Sequence, residues 1–97
     1  MKRNQVIEAL KAHEAELRAG GADALFLFGS TARDEAGPES DVDLFLDYQD
    51  ARFSLIELAA LKERIARLLG AKVDLMTRGS LHPAFRSDVE RAATRIF

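Results

Sequence analysis

Two aspartates, Asp41 and Asp43, are the residues whose type and spacing point most directly to a chemistry. They stand two positions apart in a segment of alternating apolar and polar residues. In a β-strand, residues at that spacing share a face, with Cα atoms about 6.8 Å apart. Two carboxylates so placed can bridge a pair of Mg²⁺ ions, the arrangement that holds the attacking and leaving oxygens in phosphoryl or nucleotidyl transfer. Asp74, in a later extended segment, is the candidate third carboxylate.

An Asp-x-Asp pair is weak evidence by itself. Eight of the 97 residues are Asp, so about 0.65 such pairs are expected by chance. The alternative is that these acids are ordinary solvated residues on an exposed strand face. A calcium-binding loop is excluded, because its fifth and sixth positions would be Phe45 and Leu46, where an oxygen ligand and a glycine are required.

A second candidate feature is Gly29-Ser30, which directly follows an apolar run and is separated from Asp41 by ten residues. Glycine allows close backbone approach, serine supplies a hydroxyl donor, and free amides in the next turn can bind an anion such as a triphosphate. Arg33 adds a permanent cation nearby. The alternatives are a strand-ending turn with a helix cap for Gly29-Ser30, and a solvated surface charge for Arg33.

Composition excludes several classes of function. The chain has no Cys, so thiol catalysis, disulfides and cysteine zinc sites are impossible. Its 14 basic and 16 acidic residues give a net charge of -2, which disfavours a nucleic acid as the main partner. No apolar run approaches the roughly 20 residues that a membrane span needs. We therefore expect a cytoplasmic protein that makes no direct contact with nucleic acid or membrane.

The residue pattern predicts helices that alternate with short strands. The predicted elements are a helix over 6–17 that Asn4 caps and Gly20-Gly21 ends, a strand over 24–28, a helical turn and loop over 31–40, a strand over 42–47, a helix from the capping box of Ser54 and Glu57 to Gly70, a strand over 72–76, and a final helix that begins near Pro83. The apolar stripes predicted for the last two helices are Leu55, Leu58, Leu61, Ile65 and Leu68, and then Phe85, Val89, Ala93 and Ile96.

This order of elements predicts one domain over residues 1–97, of the α/β (α+β) class. We expect a small mixed sheet of three strands with its helices packed mainly on one face. Asp41, Asp43 and Asp74 would then converge on the opposite face or its rim, because their parity is opposite to that of the apolar strand residues.

The combined pattern resembles a known family. Its segments are Gly29-Ser30-Thr31-Ala32-Arg33, then Ser40-Asp41-Val42-Asp43-Leu44, then Val73-Asp74-Leu75. They are similar to the motifs of the minimal nucleotidyltransferases of the DNA polymerase β superfamily, and the resemblance covers nearly the whole chain. It implies a polymerase β-type nucleotidyltransferase fold and Mg²⁺-dependent transfer of AMP from ATP to a hydroxyl, with release of pyrophosphate.

The resemblance also implies a role for each candidate residue. Asp41 and Asp43 would bridge two Mg²⁺ ions, and Asp74 would ligate the ion on the acceptor side and help to deprotonate the attacking hydroxyl. The terminal phosphates of ATP would bind at Gly29 and Ser30. Arg33 matches an arginine that is frequent in the family, and Asp34 stands where relatives often carry glycine.

Finally, the resemblance implies a partner. Minimal members of the family are commonly encoded beside a small helical HEPN protein, a ribonuclease toxin that the nucleotidyltransferase silences, as its antitoxin, by adding AMP to a tyrosine. The alternative is a catalytically weak module that neutralises its partner by binding alone. Exposed apolar residues would serve either function, and Phe45, Phe53 and Phe97 are candidates for such a patch or for the core.

Overall fold

The computed structural model describes residues 1–37 and 40–97, and its centre is a four-stranded sheet. The strands are β1 (Ala24–Phe28), β2 (Val42–Asp47), β3 (Val73–Thr77) and β4 (Thr94–Arg95), in the order β3-β2-β1-β4. β1 runs antiparallel to both β2 and β4, whereas β2 and β3 are parallel. The sheet is therefore mixed, as predicted, with one strand more than expected.

The helices are α1 (Arg3–Lys11), α2 (Glu14–Ala19), α3 (Gly29–Ala32), α4 (Leu55–Leu69) and α5 (Arg86–Ala92), with a 3₁₀ turn at Arg78–Ser80. None of the helices in the described ranges is long and apolar enough to span a membrane. Helix α4 forms the crossover that a parallel pair of strands requires. It begins with the predicted capping box, in which the Ser54 hydroxyl accepts from the Ile56 amide at 3.3 Å and Glu57 accepts from the Ser54 amide at 3.0 Å.

The hydrophobic core lies between one face of the sheet and the long helices. Strands contribute Leu25, Leu27, Val42, Leu44, Leu46, Val73 and Leu75, and helices contribute Val6, Leu10, Leu17, Leu61, Ile65 and Leu69. The period-two pattern predicted the buried residues of β2 and β3, and the unbroken apolar run over 24–28 predicted that β1 is buried. In α4 the burial differs from the predicted stripe, because Leu55 is 81% exposed and Leu69 is buried.

The other face of the sheet is also partly covered. Phe26 and Phe45 stack there with ring centroids 4.7 Å apart, and Phe45 is fully buried. The Arg78 guanidinium lies 4.8 Å from the Phe26 ring centroid and 5.0 Å from that of Phe45. It forms two parallel hydrogen bonds to Asp47, at 2.8 and 2.9 Å, and one to Glu90 of α5 at 2.5 Å. This cluster closes the middle of the face and leaves one end of it for the carboxylates.

The prediction of a single first helix is wrong. Two helices, α1 and α2, are separated at Ala12 and His13, and Asn4 lies inside α1, whose N-cap is Lys2. Helical spacing from Leu10 requires an apolar residue at position 13 or 14, but both positions are polar. No burial therefore holds the intervening turn in a continuous helix.

The prediction of a buried final helix is also wrong. Helix α5 has no buried residue, and Phe85, which precedes it, is 62% exposed. The chain instead adds β4 to the edge of β1, where the Ile96 amide donates to Leu25 O at 2.8 Å and the Leu25 amide donates to Phe97 O at 3.1 Å. Ile96 and Phe97 are buried as a result. Pairing with an edge strand satisfies backbone groups that a helix would leave unmatched.

Candidate active site

The register of the sheet brings Asp43 and Asp74 together. The two residues are direct partners in the parallel β2–β3 pair, and Phe28 is the partner of Asp43 on the other side. Neighbouring strands lie about 4.8 Å apart, and paired residues point to the same face. The side chains of Asp43 and Asp74 therefore stand side by side across the end of the sheet that is not covered by Arg78.

Asp41 extends this group by one step along β2. It lies immediately before the strand, two residues from Asp43, and it is exposed, as is Asp74, whereas Asp43 is half-buried. Burial raises the pKa of Asp43, and the negative charges of Asp74 and Asp41 raise it further. Asp74 and Asp41 are thus close enough to repel the charge on Asp43, and a cation bound there would relieve this repulsion.

Gly29 makes room for this arrangement at the end of β1. Its φ of +73° is in the left-handed region, and a Cβ there would overlap Oδ2 of Asp43 and lie 3.2 Å from its Cγ. Only glycine combines that conformation with such close approach without strain. Gly29 and the Asp43 carboxylate therefore pack directly against each other.

Ser30 and Thr31 follow in the short helix α3. Ser30 is half-buried, and its carbonyl accepts a hydrogen bond from the Glu35 amide at 2.8 Å, which folds the next loop back onto α3. Thr31 is 1% exposed, and among the described residues its hydroxyl has no hydrogen-bond partner. Helix α3 contacts both β1 and β2, so Ser30 is held near the carboxylates.

Among residues 1–37 and 40–97, no ion pair joins Arg33 to the three aspartates. Its guanidinium pairs instead with Glu35, with Nε 3.1 Å from Oε2, and both side chains are exposed. The neighbouring Asp34 takes a φ of +59° and accepts a hydrogen bond from the Arg3 amide at 3.1 Å. Asp tolerates this left-handed conformation better than most residues, so the loop turns as it would with glycine.

The donor set fits a hard divalent cation. Carboxylate oxygens are the ligands that Mg²⁺ prefers, and the group contains no sulfur or imidazole. Within the described ranges, however, no three acidic or histidine side chains are already gathered closely enough to enclose a metal ion. The three aspartates form an open group that leaves coordination positions for other ligands.

Sequence reasoning missed one charged residue beside this group, Lys72. Its carbonyl accepts a hydrogen bond from the Val42 amide at 2.9 Å, so it lies next to Asp41 just before β3. Lys72 has the same parity as Asp74, and this two-residue spacing was the signal that could have revealed it.

Comparison with known proteins finds similar sequences and similar folds. The model of the nucleotidyltransferase domain family matches residues 4–96. The protein adenylyltransferase MntA of Thermococcus cleftensis is 36% identical over 88 residues, which cover 90% of this chain and 88% of the relative. A solved structure assigned to the minimal nucleotidyltransferases superposes with a TM-score of 0.83 at 33% identity, and covers 97% of this chain and 95% of that one.

Two solved complexes share the fold at lower identity. One is a toxin–antitoxin complex with AMP-PNP, with a TM-score of 0.72 at 21% identity over 100% of this chain and 73% of that one. The other contains a tri-AMPylated HEPN toxin of Shewanella oneidensis with its MNT antitoxin, with a TM-score of 0.66 at 19% identity over 94% of this chain and 71% of that one. The family match, the close relatives and the shared fold lead to one conclusion: the chain belongs to the minimal nucleotidyltransferases, within the nucleotidyltransferase domain family, and is a nucleotidyltransferase.

Proposed function

We propose that this protein transfers AMP from ATP to a hydroxyl of a HEPN-type partner, and that it acts in this way as the antitoxin of a toxin–antitoxin pair. The observation that carries the proposal is the juxtaposition of Asp43 and Asp74 in one row of the sheet, with Asp41 beside them and Gly29 packed against Asp43. The three neighbouring carboxylates provide a site for a cation, and the Gly-Ser turn beside them provides a site for phosphates.

Asp41 and Asp43 would be the main ligands of two Mg²⁺ ions, and Asp74 would be a further ligand. The oxygen-only donor set supports this assignment, and so does the raised pKa of Asp43, which results from burial and from the negative charges of Asp74 and Asp41. When bound, Mg²⁺ neutralises charge on the phosphates and stabilises the attacking and leaving oxygens.

The chain's own residues would orient the two substrates. Gly29 and Ser30 bind the terminal phosphates of ATP, so that the α-phosphate faces the carboxylates. The acceptor oxygen forms a bond to the α-phosphorus, the bond to the bridging oxygen of the β-phosphate breaks, and pyrophosphate leaves with that electron pair. Asp74 takes the proton of the acceptor hydroxyl and passes it to water.

The proposed partner and substrate are those that the names of related proteins and solved complexes indicate. Close relatives are named protein adenylyltransferases, one solved complex contains AMP-PNP, and another contains an AMPylated HEPN toxin with its antitoxin. We propose a tyrosine of the partner as the acceptor, since a phenol can be deprotonated more readily than an aliphatic hydroxyl.

The direct test is incubation of the protein with Mg²⁺, ATP labelled on the α-phosphate, and the purified HEPN-type partner, followed by intact-mass analysis. We expect an AMP adduct on the partner that depends on Mg²⁺ and disappears in Asp43→Asn. Asp88→Asn is the matched control, because Asp88 is an exposed acid on α5 with 77% of its side chain accessible. A labelled partner in the Asp43→Asn reaction would disprove the metal assignment.

The same experiment separates catalysis from binding. Wild-type protein that binds and inhibits the partner without forming an adduct would show that the partner is neutralised by binding alone and not by AMP transfer. Partner activity measured before and after removal of ATP provides this comparison.

A further inference from the structure

A groove of about 450 Å³ lies beside the three aspartates, between α4 and the start of β3. Its apolar lining is Ala59, Ala66 and Val73, and Asp41 stands at its edge nearest the candidate active site. Ala59 and Ala66 are seven residues apart on α4 and therefore share one helix face. The small side chains on this face are the reason that a groove exists there.

The charged residues of the groove are Asp41, Lys62, Glu63 and Lys72. Glu63 forms an ion pair with Arg67, one turn further along α4. Neither lysine forms an ion pair with any residue in the described part of the chain. The groove therefore presents two lysines that are available to an acidic partner, next to Asp41 and to the Glu63–Arg67 pair.

The groove lies on the side of the active site away from Gly29 and Ser30. These two residues follow β1, which pairs with one edge of β2, whereas Lys72 precedes β3, which pairs with the other edge. With ATP phosphates at Gly29 and Ser30, the space next to Lys72 and Asp74 is open to the molecule that receives AMP.

We propose that this groove binds an acidic segment of the acceptor protein, with Lys62 and Lys72 paired with its carboxylates and its apolar side chains packed on Ala59, Ala66 and Val73. The inference rests on the proposed function and specifies how that function selects its substrate. An acidic segment would be repelled by the three aspartates and attracted by the two lysines. These opposed charges would seat the segment in the groove and leave only its hydroxyl near Asp74.

The mixed lining favours a polypeptide over a free anion. A small anion such as phosphate would leave the apolar residues uncovered. A polypeptide segment can cover apolar surface and pair charges at separate points along its length.

The test is the double variant Lys62→Glu/Lys72→Glu, compared with Lys2→Glu/Lys11→Glu, which changes the net charge equally at positions outside the groove. AMP transfer to the purified HEPN-type partner is measured over a range of partner and ATP concentrations. We expect the KM for the partner to rise about tenfold in the groove variant, because two exposed charge pairs become repulsive. The KM for ATP should not change, and Lys62→Arg/Lys72→Arg should retain wild-type values.

Three outcomes would overturn the inference. The KM for the partner could match that of the control pair, the KM for ATP could rise as much as that for the partner, or a model substrate with uncharged residues around its tyrosine could be used as efficiently as the partner. Failure of the proposed function has a different signature, which is that wild-type protein transfers no AMP to the partner. In that event, weaker partner binding by the groove variant than by the control pair would still support the groove.

Discussion

Replacement of Gly29 by Ala tests whether the arrangement of the three aspartates depends on the close approach of the Gly29 backbone to Asp43. An added Cβ would overlap Oδ2 of Asp43, with its Cγ 3.2 Å and its Cβ 3.4 Å away. Only the carboxylate oxygen is too close, so the expected response is a displacement of that group rather than of the strand. Gly29→Ala should therefore affect both stability and transfer.

The magnitude has two parts. An L-residue in the left-handed region costs about 1–2 kcal/mol, and an additional methyl group in a packed site costs about 1–3 kcal/mol. Gly70→Ala is a matched control for the first part, because Gly70 has a φ of +62° with no atom within 4 Å of an added Cβ. Gly70→Ala should reduce the free energy of unfolding by about 1–2 kcal/mol, and Gly29→Ala by about 2–5 kcal/mol.

Urea denaturation of both variants measures these differences, and labelled AMP transfer measures the effect on catalysis. Displacement of a reacting geometry by about 1 Å can cost about 100-fold in rate, so a loss of that order is expected for Gly29→Ala and none for Gly70→Ala. In an Asp43→Ala background the overlap disappears, and Gly29→Ala should then cost no more than Gly70→Ala. Equal destabilisation of the two single variants, with full activity in Gly29→Ala, would refute the reasoning.

Three further predictions concern the sheet and its ligands. Arg78→Ala should destabilise the protein by about 2 kcal/mol, because it leaves Asp47 and Glu90 without their shared partner. Arg78→Lys should cost about half as much, since lysine retains the charge but loses the planar fork of the guanidinium. Equal midpoints of urea denaturation in wild type and both variants would contradict the role of this cluster. Ile96→Ala should cost about 2–4 kcal/mol, as expected for a buried aliphatic residue, whereas a surface position would cost under about 0.5 kcal/mol in the same assay. Mg²⁺ with a non-hydrolysable ATP analogue should raise the Tm of wild type, because ligands that bind only the folded state stabilise it, and a Tm increase of the same size in Asp43→Asn would count against the proposed metal ligands.

Much of the fold could be predicted from local patterns. Alternation of apolar and polar residues predicted β2 and the parity of its buried side chains, and the Ser54–Glu57 capping box and Gly70 predicted the two ends of α4. These signals are local, because hydrogen bonds within a turn and the two faces of a strand depend on neighbouring residues only. The pattern that includes Gly29, Ser30 and the aspartates was sufficient to recognise the family to which the chain belongs.

The mistake in the last helix arose where distant segments decide the structure. Ile96 and Phe97 fit a helical stripe as well as a strand, and only the unpaired edge of β1 determines that they join the sheet. Similarly, the sequence left Phe45 open between an exposed patch and the core, and tertiary structure buries it where it stacks on Phe26 beneath Arg78. No spacing rule connects these residues, since the sheet register brings them together.

The same division applies to the candidate site. The sequence by itself determined which residue types are present, namely three aspartates of matching parity and a Gly-Ser turn, because parity within a strand is a local property. Tertiary structure decided that Asp74 is the direct partner of Asp43 and that Gly29 packs against the Asp43 carboxylate. It also decided that Lys62 and Lys72 line one groove beside Asp41. These relations depend on the register between strands and on the packing of α4, which form only when residues far apart in the chain bury their apolar surface together.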